Sequence, residues 1–184
     1  MPSTRAPHLT GIVLAAGAGR RRGEPKALAA GPDGPWLAEA VRLLLVSGCE
    51  RVVAVLGAGA DDARALLPED DRVVAVVAEG WSDGIGESLR TGLAHAAGDA
   101  ALITLVDLPG TPVSVVERVL AADGDLRQAV YDGRPGHPVL VGRSHWAPLS
   151  RVLTGDRGAR AYLTEHGVTE VECGDLHHGL DRDT

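Results

Sequence analysis

Three arginines and a lysine crowd into one glycine-rich stretch near the start of the chain, Gly17-Ala18-Gly19-Arg20-Arg21-Arg22-Gly23-Glu24-Pro25-Lys26. Glycines let the main chain turn tightly and bring its N–H groups close to a ligand, and cations clustered beside such donors suit a polyphosphate. The stretch follows Ile12-Val13-Leu14, a short apolar run expected of a strand buried on both faces. A second chemical group, Asp107, ends another apolar run at residues 101–106. If both runs are parallel strands of one sheet, both groups open onto the same rim, where such sheets bind ligands. A carboxylate and a cation cluster in one cleft suit a metal-bound polyphosphate. Mg²⁺ usually takes one or two protein carboxylates plus phosphate oxygens and waters, so Asp107 needs no cage of ligands around it.

Two familiar phosphate loops can be tested against the stretch. A Walker loop requires Gly-Lys followed by Ser or Thr, and Gly23 is followed by Glu24. A dinucleotide fingerprint requires glycines at its first, third and sixth positions, whereas Gly17, Gly19 and Gly23 stand first, third and seventh. The acid at plausible range for a ribose, Asp33, sits in Pro32-Asp33-Gly34-Pro35 and not at the end of a second strand. The first loop is excluded and the second weakened.

The elements that must position these groups alternate. Helical spacing of Trp36, Leu37, Ala40, Val41, Leu44 and Leu45 predicts a helix that stops at Ser47-Gly48, followed by a buried strand at 51–56. A short helix at 61–67, a strand at 73–77, a glycine-punctuated loop at 81–86 and a helix at 87–97 come next. After the strand at 101–106, Thr111 and Pro112 read as the N-cap and first residue of a helix. Residues 128–131 and 137–141 read as an antiparallel pair around Asp132-Gly133-Arg134-Pro135. Helices at 146–153 and 156–166, the second capped by Asp156, and a strand at 168–173 complete the pattern. Repeated strand-helix alternation predicts an α/β fold, a three-layer α/β/α sandwich around a mainly parallel, mixed sheet.

Length and charge narrow the class further. The 184 residues suit one domain, read as 9–184 behind a flexible tail at 1–8. A net charge of -7 and the lack of any Phe argue against a nucleic-acid surface, which needs a broad basic face and stacking rings. The basic loop is therefore a local exception suited to a small anion such as a mononucleotide. No apolar run reaches signal-peptide or membrane-spanning length, so a cytoplasmic protein with no membrane partner is expected. Cys49 and Cys173 are too few for a disulfide framework or thiolate metal site. His177 and His178 form a pair that could bind a metal, though on a short polar loop.

Leu14-Ala15-Ala16-Gly17, with Arg21, Gly23 and Lys26 at their present spacing, resembles the loop of the MobA/MocA-like nucleotidyltransferases, especially the molybdenum cofactor cytidylyltransferase branch. Later stretches are similar in order: Gly84-Ile85-Gly86-Glu87-Ser88-Leu89, Asp107-Leu108-Pro109, Gly136-His137-Pro138-Val139, Gly155-Asp156-Arg157-Gly158-Ala159-Arg160, and the closing Asp181-Arg182-Asp183-Thr184. The resemblance implies a nucleotide-diphospho-sugar transferase-like fold that binds a nucleoside triphosphate. It implies a nucleotide site of Leu14, Ala15, Ala16, Gly17, Ala18, Gly19, Arg21, Lys26, Ser88 and Asp107, with Arg21, Lys26 and Asp107 carrying catalysis. By the same carry-over Asp107 and Asp181 hold Mg²⁺, and Gly136 and His137 border the acceptor.

The reaction implied is transfer of a nucleoside monophosphate to a phosphorylated acceptor with release of pyrophosphate. Ala15-Ala16 is similar to the cytidylyltransferase form of the loop, so CTP is the expected nucleotide and molybdopterin the expected acceptor, with a cofactor-accepting enzyme as a possible partner. GTP-dependent transfer to molybdopterin or to a small phosphorylated acid is the alternative within the class. Two further classes stay open: an NAD(P)-dependent oxidoreductase and a non-catalytic nucleotide-binding protein. The sequence departs from the family's pattern at Gly19, where a Ser is common two residues before the family's Arg.

Overall fold

The computed structural model describes residues 7–19 and 23–182. Arg20, Arg21, Arg22, Asp183, Thr184 and most of the expected N-terminal tail lie outside the described residues. In chain order the elements are β1 (Leu9–Ala15), a 3₁₀ turn (Lys26–Leu28), β2 (Ala30–Gly31), β3 (Gly34–Pro35), α1 (Trp36–Val46), β4 (Arg51–Leu56), α2 (Ala60–Arg64) and β5 (Val73–Val77). A second 3₁₀ turn (Trp81–Asp83) leads to α3 (Ile85–His95), β6 (Ala100–Leu105) and α4 (Val113–Ala121). The chain then makes β7 (Leu126–Tyr131), β8 (Arg134–Gly142), α5 (Arg143–Val152), α6 (Arg160–Glu165) and β9 (Thr169–Glu172).

Seven strands form one sheet in the order β5-β4-β1-β6-β8-β7-β9. The pairs β5/β4, β4/β1, β1/β6 and β7/β9 are parallel, and β8 runs antiparallel to both β6 and β7. The mainly parallel, mixed sheet expected from strand-helix alternation is therefore present. β1 lies inside the sheet, so each residue from Leu9 to Ala15 is buried. Its pleat divides them. Val13 and Ala15 join Leu37, Val41 and Leu44 of α1 and Val115, Val116 and Val119 of α4 in one core. Ile12 and Leu14 join Leu89 and Leu93 of α3, Leu149 of α5 and Leu163 of α6 in the other. Two helical layers thus cover the two faces, as a sheet hydrophobic on both sides requires.

Several boundaries differ from the sequence-based expectation. The β7–β8 turn is tighter than four residues: Asp132 and Gly133 both adopt positive φ, at 52° and 72°, the pairing of a type I′ hairpin. α3 begins at Ile85, two residues before the expected start, and α2 ends at Arg64. Thr111 does not cap α4. Its hydroxyl donates to the Leu108 carbonyl at 2.9 Å, and Pro112 occupies the cap position in extended geometry with no side-chain cap bond. Nor does Asp156 cap a helix, since α6 starts at Arg160 behind Ala159.

Candidate active site

The chain runs from β1 outward to β4 and β5, then returns to place β6 on the other side of β1. The reversal opens a crevice between the ends of β1 and β6, where Leu14 pairs with Leu105. This is the position at which open α/β sheets bind ligands. The glycine loop leaves β1 there and Asp107 leaves β6, so two groups far apart in sequence meet on one rim. They make contact: Lys26 Nζ donates to Asp107 Oδ2 at 2.6 Å. The lysine side chain is 23 % exposed and the carboxylate 11 %, so the pair is only partly open to screening by water.

A cavity of about 390 Å³ surrounds the pair. Among its walls are Leu14, Ala15, Ala16, Gly17, Ala18, Gly19, Lys26, Ser88 and Asp107, every described residue that the sequence assigned to a nucleotide. Arg21 lies outside the described residues. Gly136 and His137 do not line the cavity, but His137 lies close enough to Asp107 for the carboxylate to act on its imidazole. Burial pushes that imidazole down from 6.5 to about 4, and the Asp107 charge opposes the effect only in part. At neutral pH His137 is therefore an uncharged hydrogen-bonding group. Its backbone carbonyl accepts a 2.6 Å bond from the Tyr131 hydroxyl.

Asp181 is exposed and does not line the cavity. The next residue nevertheless ties the C-terminal segment to the site, because the Arg182 N–H donates to the Asp107 carbonyl at 2.9 Å. His177 and His178 each accept a backbone N–H at Nδ1, from Gly179 and Leu180, and their rings stack 4.3 Å apart. They serve to fold this segment. Among the described residues no three His, Cys, Asp or Glu side chains gather to hold a metal. A single carboxylate beside a phosphate-type loop fits Mg²⁺ that arrives with a triphosphate, since the remaining ligands would be phosphate oxygens and waters.

Gly19 has φ +58°, and a Cβ there would lie 1.9 Å from the Glu24 carbonyl oxygen. The loop closes on itself at that point through a 2.9 Å bond from Gly23 N–H to the Gly19 carbonyl. The Ser common in the family at this position would therefore have to displace this loop.

Trp81, Ser82, Gly84, Ile85 and Asp156 also line the cavity; Gly84, Ile85 and Asp156 belong to two of the family-like stretches, but their meeting at one wall was not expected from the sequence. Gly84, at φ +127°, seats the loop containing Asp156: a Cβ at Gly84 would lie 2.3 Å from the Gly155 carbonyl carbon. Gly86 N–H then donates to the Gly155 carbonyl at 3.0 Å. Two motifs seventy residues apart therefore interlock. Trp81, one of only five Phe, Tyr and Trp residues in the chain, adds an aromatic face to this wall that no motif announced.

With this geometry in view, comparison with known proteins places the chain. Residues 11–171 match the MobA-like NTP transferase domain, and the chain belongs to that nucleotidyltransferase family. It is 38 % identical over its full length to nicotine blue oxidoreductase of Paenarthrobacter nicotinovorans, covering 96 % of that protein. It is 32 % identical to molybdenum cofactor guanylyltransferase of Rhodobacter capsulatus over 81 % of this chain and 72 % of the relative. Among solved structures it resembles Rv0371c from Mycobacterium tuberculosis H37Rv, with a TM-score of 0.81 and 28 % identity over 98 % of this chain and 95 % of that one. A complex of Rv0371c with manganese aligns with a TM-score of 0.69 and 24 % identity, over 90 % of this chain and 88 % of that chain. No described helix is long and apolar enough to cross a membrane.

Proposed function

We propose that this protein is a cytoplasmic, Mg²⁺-dependent nucleotidyltransferase that transfers CMP from CTP to a phosphorylated acceptor, molybdopterin, and releases pyrophosphate. The observation that carries this reading is the contact of Lys26 with Asp107 on the rim between β1 and β6, beside the glycine loop. An acceptor phosphate oxygen attacks the α-phosphorus and pyrophosphate leaves, so no protein nucleophile is required. Asp107 would hold Mg²⁺, with Asp181, the neighbour of the residue whose N–H meets the Asp107 carbonyl, as a second carboxylate; when bound the ion supplies positive charge against the phosphates. The chain's own groups then divide the work. Lys26 exchanges its carboxylate partner for a phosphate oxygen, and the loop N–H groups and Arg21 hold the leaving pyrophosphate. Gly136 and uncharged His137 border the acceptor, where the imidazole can hydrogen-bond without adding a competing cation.

CTP is preferred over GTP because of Ala15-Ala16; the guanylyltransferase relative makes GTP the alternative within the class. Asp107→Ala should reduce pyrophosphate release from CTP and molybdopterin by at least about 10²-fold, the scale of losing a principal electrostatic group, while circular dichroism stays native. Wild-type turnover in this variant would defeat the assignment.

A second reading, an NAD(P)-dependent oxidoreductase, is favoured by the full-length identity to nicotine blue oxidoreductase. Against it, Asp33 lies exposed between β2 and β3, and β4 ends in Leu56-Gly57 without the acid that a dinucleotide ribose calls for. Thermal stabilisation by CTP, GTP, ATP and NADPH, each with and without Mg²⁺, separates the readings. Stabilisation by NADPH alone selects the second. Triphosphate binding without pyrophosphate release identifies a non-catalytic binder.

A further inference from the structure

The cavity has two chemically different ends. One end holds Lys26, Asp107 and the glycine loop, over β1 and β6. The other is built on the segment that follows β5, two strands away from β1 on the opposite side from β6. There Trp81 and Ile85 supply apolar surface, with Ile85 39 % exposed although it opens a helix. Asp156 is the acid at this end, brought in by the Gly84–Gly155 seat from a loop between α5 and α6. It is exposed and caps no helix, and its carboxylate has no hydrogen-bond or ion-pair partner among the described residues. An acceptor-only group beside an aromatic and an aliphatic wall matches a nucleobase that presents an N–H donor at its edge.

We propose that Asp156 determines base specificity by accepting a hydrogen bond from the exocyclic amine of the nucleotide's base. The inference rests on the nucleotidyl-transfer reading and deepens it. A carboxylate attracts the 4-amino group of cytosine and opposes the 4-oxo group of uracil, which offers only lone pairs. The site therefore favours a base with an exocyclic amine at this edge over uracil, which places a 4-oxo group there. Substitution should change selection without removing the phosphate contacts. Asp156→Asn can turn its amide to donate to a 4-oxo group, and Asp156→Ala removes the contact altogether.

The test is calorimetric titration of the full chain with CTP and UTP in the presence of Mg²⁺. The wild type should prefer CTP by roughly tenfold or more, the scale of one good base-edge contact. In Asp156→Asn and Asp156→Ala the preference should fall to within about threefold, with UTP affinity held or improved in the asparagine variant. Equal wild-type affinity for the two nucleotides overturns the proposal, as does a preference that survives both substitutions. An equal loss of both affinities assigns Asp156 to the loop's structure or to the phosphates and also overturns it. Failure of any triphosphate to bind the wild type is a different result: it removes the transferase reading together with this one.

Discussion

Gly19→Ser restores the hydroxyl common in the family, and the structure says that it should damage this enzyme. Residue 19 sits at φ +58°, where an L side chain costs about 1–2 kcal/mol. The larger effect is steric. Its Cβ would lie 1.9 Å from the Glu24 carbonyl oxygen, and relief to a contact of about 3 Å requires a displacement of about 1 Å. The same Cβ lies 3.4 Å from the Lys26 backbone nitrogen, so the shift falls on the segment that presents Lys26 to Asp107. A misplacement of about 1 Å in a catalytic group can cost about 10²-fold in rate. For the proposed reaction, pyrophosphate release from CTP should therefore drop by about that factor, and CTP with Mg²⁺ should bind more weakly by calorimetry. The local strain should lower Tm by only about 2–8 °C, from 2–4 °C per kcal/mol for a chain of this size. A Gly19→Ser protein that binds and turns over CTP like the wild type would refute the argument that loop closure excludes a side chain.

Other expectations test the surrounding frame. Gly84→Ala places a methyl group 2.3 Å from the Gly155 carbonyl carbon in a backbone conformation costing about 1–3 kcal/mol. Tm should fall by several degrees, and the Gly86 amide should lose hydrogen-exchange protection; retained protection would mean that the 154–158 loop is not seated there. Because burial holds His137 at about 4 in the folded protein against 6.5 when exposed, the unfolded chain binds more protons between those values. The corresponding stability is complete above pH 6.5 and lost as pH falls to about 4, a change of roughly 3 kcal/mol. His137→Gln should remove this component, so equal losses of Tm between pH 7 and 4.5 in the two proteins would contradict it.

Much of the site was legible because its parts are local. The run Ile12-Val13-Leu14 announces a strand buried on both faces, and its loop carries glycine and cations within one turn of chain. β4 and β5 fall on the apolar runs, at Arg51–Leu56 and Val73–Val77; β4 is buried along nearly its whole length, whereas β5 is a partly exposed edge strand. Caps were read less well. Thr111 satisfied its hydroxyl at Leu108, a choice made by the turn after β6 and invisible to a rule based on residue type.

By itself the sequence determined the chemistry available: a glycine loop with cations, an aspartate at the end of a strand, and a family pattern spread along the chain. Tertiary structure alone decided which groups meet. The return of β6 to the other side of β1 brings Lys26 and Asp107 to 2.6 Å across eighty-one residues. The Gly84–Gly155 seat turns Asp156 from an apparent helix cap into a wall of the cavity. Neither contact is encoded by local propensity. Both arise because buried strands must find hydrogen-bonding neighbours and because glycine alone permits two backbones to approach so closely.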